Sequence, residues 1–307
     1  MILDSYPQAL VLTGPTGCGK SQLALDLAER LGAEIVSMDS MALYRRMDIG
    51  TAKPTAEDRR RVPHHLLDVL EPWESANVAW WLERAAECCR DITQRGKRPL
   101  FVGGTPLYLK ALLHGLFDGP PADETIRRRL SDEAASVGGA ALHARLAAVD
   151  PISVARLHPN DVRRVIRALE VWELTGRPIS DWQTQWTTRE PPQEDSRCLC
   201  LDLPRPELYA RIDARVERMI ADGLVEEVRA LRHLDRPLSR EAAQALGYKE
   251  MFAYLDGHAN LRQTIQQIQM RSRNFAKRQM TWFRHLPARR IARPELTFIL
   301  WASTMKK

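Results

Sequence analysis

Residues 14–21 read GPTGCGKS, and the reading of this octet decides the fold. It satisfies G-x-x-x-x-G-K-[ST]. An apolar run at residues 9–13 precedes it and suits a buried strand, and a helical pattern at residues 21–31 follows it, with Leu23, Leu27 and Leu31 on one face. Strand, glycine-rich turn and helix in that order is the context of a phosphate-binding loop, or P-loop. Gly14, Gly17 and Gly19 let successive backbone N–H groups turn inward onto phosphate oxygens, and the helix N-terminus adds partial positive charge. Lys20 supplies a full charge, and the Ser21 hydroxyl can ligate Mg2+. Pro15, Thr16 and Cys18 complete the loop.

The same alternation continues outward. Strand patterns at residues 34–38, 65–69 and 99–102 are separated by helical patterns at 55–61 and 76–95. This is an α/β plan: a P-loop NTPase-like parallel sheet flanked by helices. A break at DGPPADET (118–125) opens a block with helical signals alone, at 126–135, 140–149, 152–157 and 162–175. A polar, proline-rich linker (185–196) closes it. RCLCLDLP (197–204) then returns as one more strand, followed by helices at 206–221, 225–234, 240–255 and 260–286. The expected organisation is a core of residues 1–118 and 197–307 with an all-helical inserted subdomain at 119–196.

Bulk properties exclude several classes. The 307 residues are 44% hydrophobic and 27% charged, the proportions of an ordinary globular protein. No run of 18 apolar residues offers a membrane span. The opening MILDSYPQALVL lacks a basic leader and reads as the approach to strand one, so a cytoplasmic location is expected. Five cysteines (Cys18, Cys88, Cys89, Cys198 and Cys200) form no C-x-x-C pair, which argues against a disulfide framework or a zinc site. Cys198 and Cys200 alternate and should share a core-facing strand face. Cys18, beside Lys20 at a helix start, has surroundings that favour thiolate. It is either a reactive thiol shielded by bound diphosphate or a small residue at a variable loop position. Residues 260–307 carry eleven Lys/Arg against one acid, Glu295, in a chain of net charge +6. Such segregation suits a polyanion partner, with a solvated basic face as the alternative.

Ligands in parallel α/β sheets bind at the carboxyl ends of strands. Gly14, Asp39 and the Gly103, Gly104, Thr105 turn all follow strand runs and should converge on one crevice. Asp39 can hold Mg2+ through water, act as a general base, or cap a turn. The paired glycines imply close backbone approach, and Thr105 followed by Pro106 makes a helix start. In HPNDVRRVIRALEV (158–171), Asn160 or Asp161 caps a helix that presents Arg163, Arg164 and Arg167 around Val165 and Ile166. Such a trio suits nucleic-acid phosphates. The block as a whole has ten Arg against twelve acids over residues 119–196, so the patch is local. On the long helix, Arg273, Lys277 and Arg284 lie opposite Arg271 and Arg278, placing one set on a phosphate crevice or polyanion groove unless acids pair them.

With these residues in hand, the chain resembles the bacterial tRNA dimethylallyltransferases, the IPP transferase family, from residue 10 to about residue 284. The segments that carry the resemblance are GPTGCGKS, DSMALYRRMDIGTAKP, PHHLLD, VGGTPLYLKAL, HPNDVRRVIRALE, LYARIDARVERMIADGLVEEV, ALGYKEM and AKRQMTWFR. Ala42 and Leu43 depart where many members carry Gln before the Tyr, and Pro106 where Met or Gly is usual. The resemblance implies transfer of a dimethylallyl group from dimethylallyl diphosphate to N6 of the tRNA adenosine 3′ to the anticodon, with Mg2+ as cofactor. Nothing in the sequence suggests an obligate protein partner, so a monomer is expected. The resemblance also implies that the P-loop binds the leaving diphosphate with Arg215, that Asp39 is the base, and that Thr105 holds the amine or the bridging oxygen. Ser40, Met41 and Ala42 would line the base pocket. The RNA would meet Arg127, the run Arg163, Arg164, Val165, Ile166 and Arg167, and Gln244, Ala245, Leu246, Gly247, Tyr248 and Lys249. The competing reading is a P-loop small-molecule kinase that binds ATP, with the insertion as its lid.

Overall fold

The computed structural model describes residues 2–117, 119–183, 194–292 and 297–304. Two compact units divide the chain: Met1–Leu113 with Pro191–Lys307, and His114–Glu190.

The first unit is built on six strands: β1 (Leu10–Thr13), β2 (Ala33–Ser37), β3 (His64–His65), β4 (Arg98–Gly103), β5 (Asp195–Leu201) and β6 (Ala288–Ile291). They form one sheet in the order β3-β2-β4-β1-β5-β6, parallel throughout. Every residue of β1 and β2 is buried, because helices cover both faces of a parallel sheet. Alternation along β1 sends Leu10 and Leu12 into one core layer and Val11 into the other. One layer contains Val36, Phe101 and Trp81, whose Nε1 donates to the Ser37 carbonyl at 3.1 Å and whose ring stacks on Tyr108. The other contains Leu25, Leu100, Leu199 and Ile212. Glu34 is the charged exception within β2. It is held by Arg95 Nη2 at 2.6 Å and His65 Nε2 at 2.7 Å.

Several elements differ from the sequence expectation. Ile2–Ser5 is a short helix before β1 rather than part of a strand approach. The third strand keeps only two residues, because Leu66 and Asp68 take positive φ (58° and 54°) and turn the chain out of the sheet. The helix expected at 240–255 is two helices, Arg240–Ala243 and Tyr248–Leu255, parted at Gly247, whose φ of 93° ends helical continuity. β6 and the final helix Thr297–Thr304 carried no pattern that separated them from the basic segment around them.

The second unit is helical: Glu124–Val137, Gly139–Val149, Pro151–Val154, Val162–Thr175 and Ile179–Trp182. Leu130, Leu142, Leu146, Val165, Ile166 and Leu169 form its core. Asp123 caps the first of these helices, accepting from the Thr125 and Ile126 amides at 2.9 Å. The expected linker lies outside the described residues up to residue 193. Asp195 and Ser196, read as its end, belong to β5.

Candidate active site

β1 delivers the P-loop. Thr13, its last residue, donates from Oγ1 to the Gly103 carbonyl at 2.9 Å and so ties β1 to β4 at their carboxyl ends. Gly17 and Gly19 take φ of 84° and 91°, a region costly for other residues. The helix Lys20–Leu31 begins at once, with Ser21 exposed in its first turn. Lys20 Nζ donates to the Pro15 carbonyl at 2.9 Å and lies 3.9 Å from Cys18 Sγ. Cys18 itself is 3% exposed, so the expectation of a reactive thiol meets a side chain enclosed by the loop. Cys198 and Cys200 are buried as expected, and burial pushes the Cys200 thiol up to about 12.

β2 delivers Asp39. Its Oδ1 accepts from the Met41 amide at 2.8 Å and the Ala42 amide at 3.4 Å. The carboxylate therefore shapes the turn that carries Ser40, Met41 and Ala42. β4 delivers Thr105, whose Oγ1 accepts from the Ser40 amide at 3.1 Å and whose own amide donates to the Met38 carbonyl at 3.3 Å. The close approach expected of the paired glycines has two identifiable causes. A Cβ on Gly103 would stand 2.1 Å from the Met38 carbonyl oxygen, and one on Gly104 would stand 2.6 Å from Gln279 Nε2.

Two helices from the C-terminal half of the chain complete the crevice. Arg215, on Arg205–Ala221, donates from Nη2 to Thr16 Oγ1 at 2.7 Å. Burial pulls its pKa below the ordinary arginine value, opposed by the Asp39 carboxylate, which favours the charged guanidinium. Its Nε is buried without a hydrogen-bond partner among the described residues. Gln279, on Leu261–Phe283, accepts from the Thr16 amide at 2.8 Å and donates to the Gly104 carbonyl at 2.6 Å. Sequence reasoning assigned nothing to Gln279. The signal was a glutamine three residues from Ala276 and four from Phe283, on the buried face of that helix. The long helix thus puts a neutral amide, not a cation, against the P-loop. Two of its expected crevice cations are salt-bridged instead, Arg271 to Glu250 and Arg273 to Asp213, while Lys277, Arg278 and Arg284 are exposed.

The loop after Asp39 is held from outside. Glu227 accepts from the amides of Asp48 and Ile49 at 2.8 Å, from Gly50 at 3.1 Å and from the Tyr248 hydroxyl at 2.6 Å. Lys53 Nζ bridges Asp48 and Asp68, and Arg59 joins Asp68. In the run expected to meet RNA, Gln244 and Lys249 are exposed and bonded to each other at 2.8 Å. Ala245, Gly247 and Tyr248 are buried and Leu246 is partly buried, so only the two polar ends of that run present side chains outward.

Within the helical unit, the arginines separate into two kinds. Arg163 and Arg164 are exposed, with Arg164 also paired to Asp161 at 2.7 Å. Arg167 donates to Glu170 at 2.7 Å and to the Pro120 carbonyl at 2.6 Å, and Arg127 also pairs with Glu170, a carboxylate that is 0% exposed. A buried carboxylate needs such partners, so Arg127 and Arg167 brace this unit. Val165 and Ile166, expected among the RNA contacts, turn their side chains into its core.

Among the described residues, no group of three or more His, Cys, Asp or Glu is placed to hold a metal ion, and no helix is long and apolar enough to cross a membrane.

The comparisons with known proteins agree among themselves. The family model described as IPP transferase matches residues 42–286, and one described as isopentenyl transferase matches residues 7–68. A tRNA dimethylallyltransferase of Geobacter metallireducens is 50% identical over 283 residues, covering 92% of this chain and 91% of its own length. Among solved structures, the tRNA isopentenylpyrophosphate transferase of Bacillus halodurans is 38% identical with a TM-score of 0.68, covering 97% of this chain and 96% of that one. A eukaryotic dimethylallyltransferase acting on tRNA is 29% identical with a TM-score of 0.72, covering 90% of this chain and 69% of that one.

Proposed function

The chain belongs to the IPP transferase family, and from that premise we propose how its residues carry out a transfer. The protein moves a dimethylallyl group from dimethylallyl diphosphate to the N6 amine of the tRNA adenosine 3′ to the anticodon, releasing diphosphate. The observation that carries this reading is that Arg215 bonds Thr16 of the P-loop and neighbours the Asp39 charge, while Thr105 bonds the Ser40 amide beside Asp39, by the carboxyl ends of β1, β2 and β4. The relatives that cover nine-tenths of the chain are tRNA transferases, which leaves the kinase reading without support.

The chemistry follows from the charges. As the bond between the prenyl carbon and the bridging oxygen breaks, negative charge collects on diphosphate. P-loop amides, Lys20 and Arg215 stabilise that charge as fixed donors in a partly enclosed site. Mg2+ fits the residues present. It needs few protein ligands when phosphate oxygens and water complete its shell, and Ser21 offers an exposed hydroxyl in the first turn of the P-loop helix. When bound there it would offset charge on the diphosphate. The N6 lone pair attacks the prenyl carbon, and Asp39 accepts the proton that N6 loses. Thr105, which already fixes the Ser40 amide, holds the amine or the bridging oxygen. The adenine must leave its stack to be reached. Ser40, Met41 and Ala42, carried on the turn that Asp39 shapes, line its pocket. Arg163, Arg164, Gln244 and Lys249 supply outward-facing polar contacts to the RNA, which positions a nucleic acid without reading its sequence.

The test is direct. Purified protein is incubated with radiolabelled dimethylallyl diphosphate, Mg2+ and unmodified tRNA. Label in the RNA is the expected result. Unlabelled RNA together with ATP turnover on a small metabolite would overturn the reading in favour of a kinase.

A further inference from the structure

The geometry points to Gln279 as a positioning residue for the transfer: its side-chain amide sets the spacing between the loop that holds the leaving diphosphate and the turn that carries Thr105. This inference rests on the reading given under Proposed function.

Gln279 is 2% exposed, and both ends of its amide are engaged. Its helix turns Ser272, Ala276, Met280 and Phe283 into the protein alongside it. A primary amide in such a setting is costly unless both ends are bonded. Its oxygen takes the Thr16 amide, so that P-loop N–H is committed to Gln279 rather than to phosphate. Thr16 is then gripped twice, through its backbone by Gln279 and through its hydroxyl by Arg215. The Gln279 nitrogen takes the carbonyl of Gly104, the residue before Thr105. Thr105 in turn holds the Ser40 amide, next to Asp39. One neutral side chain therefore spans the two loops. Carrying no charge, it has little to offer a departing diphosphate; what it fixes is distance. Displacement at carbon requires the reacting atoms at about 3–3.5 Å, and a misplacement of about 1 Å costs roughly 100-fold in rate. Gly104 belongs to the same device, since a Cβ there would collide with the Gln279 amide nitrogen.

The experiment measures kcat, donor KM and the ratio of diphosphate released to prenyl groups found on tRNA, for wild type, Q279L and G104A. Absence of transfer by wild type would sink the functional reading itself. With transfer established, both variants are expected to lose roughly 100-fold in kcat, with donor KM and tRNA affinity within about threefold of wild type. The ratio should rise above one. Water then captures the prenyl carbon in place of N6: the carbon–oxygen bond to diphosphate breaks, a bond to water oxygen forms, and dimethylallyl alcohol and a proton leave with diphosphate. Wild-type kcat and ratio in either variant would overturn the inference. So would a donor KM that rises in step with a fall in melting temperature, because that marks a prop for the P-loop alone. If Q279L loses its cooperative melt, G104A decides, and wild-type kcat with one-to-one coupling in G104A would overturn the inference.

Discussion

Arg215 donates to the Thr16 hydroxyl across 2.7 Å, between residues 199 positions apart in the chain. The bond places a cation at the rim of the P-loop that no local pattern would put there. It also leaves Arg215 Nε buried and unpartnered among the described residues, and a buried charged donor without a partner calls for an explanation. A diphosphate oxygen would meet that need. R215A should raise donor KM and lower kcat, the two together costing about 10- to 100-fold in kcat/KM, the scale of a lost charge-assisted hydrogen bond. R215K should fall between, because it keeps the charge without the planar fork. Steady-state kinetics with varied donor check this, and an unchanged donor KM in R215A would remove Arg215 from the diphosphate site.

Asp39 has a shaping role as well as its proposed proton-accepting one, and the two can be separated. D39N retains an Oδ1 acceptor for the Met41 and Ala42 amides but cannot accept a proton at neutral pH. Turnover should fall about 10²- to 10⁴-fold with tRNA affinity intact by filter binding. D39A should lose turnover and disturb the turn too. Near-wild-type turnover in D39N would leave only the structural role.

The insertion arginines should divide by function. Arg163 and Arg164 are exposed, so R163A and R164A should each weaken tRNA binding and lower the slope of log affinity against log salt by about one. R167A removes a partner from buried Glu170 and should lower stability instead, by about 3 kcal/mol, as when a buried ion pair loses one member. Salt titrations and urea unfolding separate the two outcomes. A flatter salt slope in R167A, with stability retained, would reverse the assignment.

Glu227 holds three consecutive amides and the Tyr248 hydroxyl. E227A should cost about 2–3 kcal/mol in urea unfolding, and Y248F about 1 kcal/mol, because the first strands several donors and the second removes one bond. Equal small losses in both would show that water replaces the carboxylate.

Acid should unfold the core through identifiable carboxylates. For Asp68, burial alone would raise the pKa, yet hydrogen bonds from Lys53 and Arg59 outweigh it and hold the carboxyl below its ordinary range. Glu34 is depressed in the same way by Arg95 and His65, and Asp195 by Arg197. A folded pKa below the unfolded one adds stability that is fully present above the unfolded value, near pH 4, and is lost as pH falls through the folded value. Melting temperature should therefore hold level from neutrality to about pH 5 and drop below pH 4. K53A should lower the plateau at neutral pH and shrink the acid loss, because the folded Asp68 pKa then lies nearer the unfolded one, and an acid limb of unchanged size would show that Asp68 does not contribute.

GPTGCGKS, its strand and its helix were legible because the pattern that marks them is contained in about 20 consecutive residues. The spacing of glycines, the apolar run and the leucine stripe are local statements about backbone and burial. The order of strands and helices carried the parallel sheet for the same reason. The glycines of residues 103 and 104 announced a close approach without naming what approaches. Folding alone brought Gln279 to Thr16 across 263 residues, and Glu227 to the loop at residues 48–50 across 177 to 179. Folding also decided that Arg167 braces a buried carboxylate while Arg163, four residues away on the same helix, faces outward. A hydrogen bond or ion pair between distant segments depends on two geometries at once, and neither segment records the other. Local pattern thus marked most of the elements and the loop proposed to bind phosphate, and tertiary packing decided which side chains hold that loop in register.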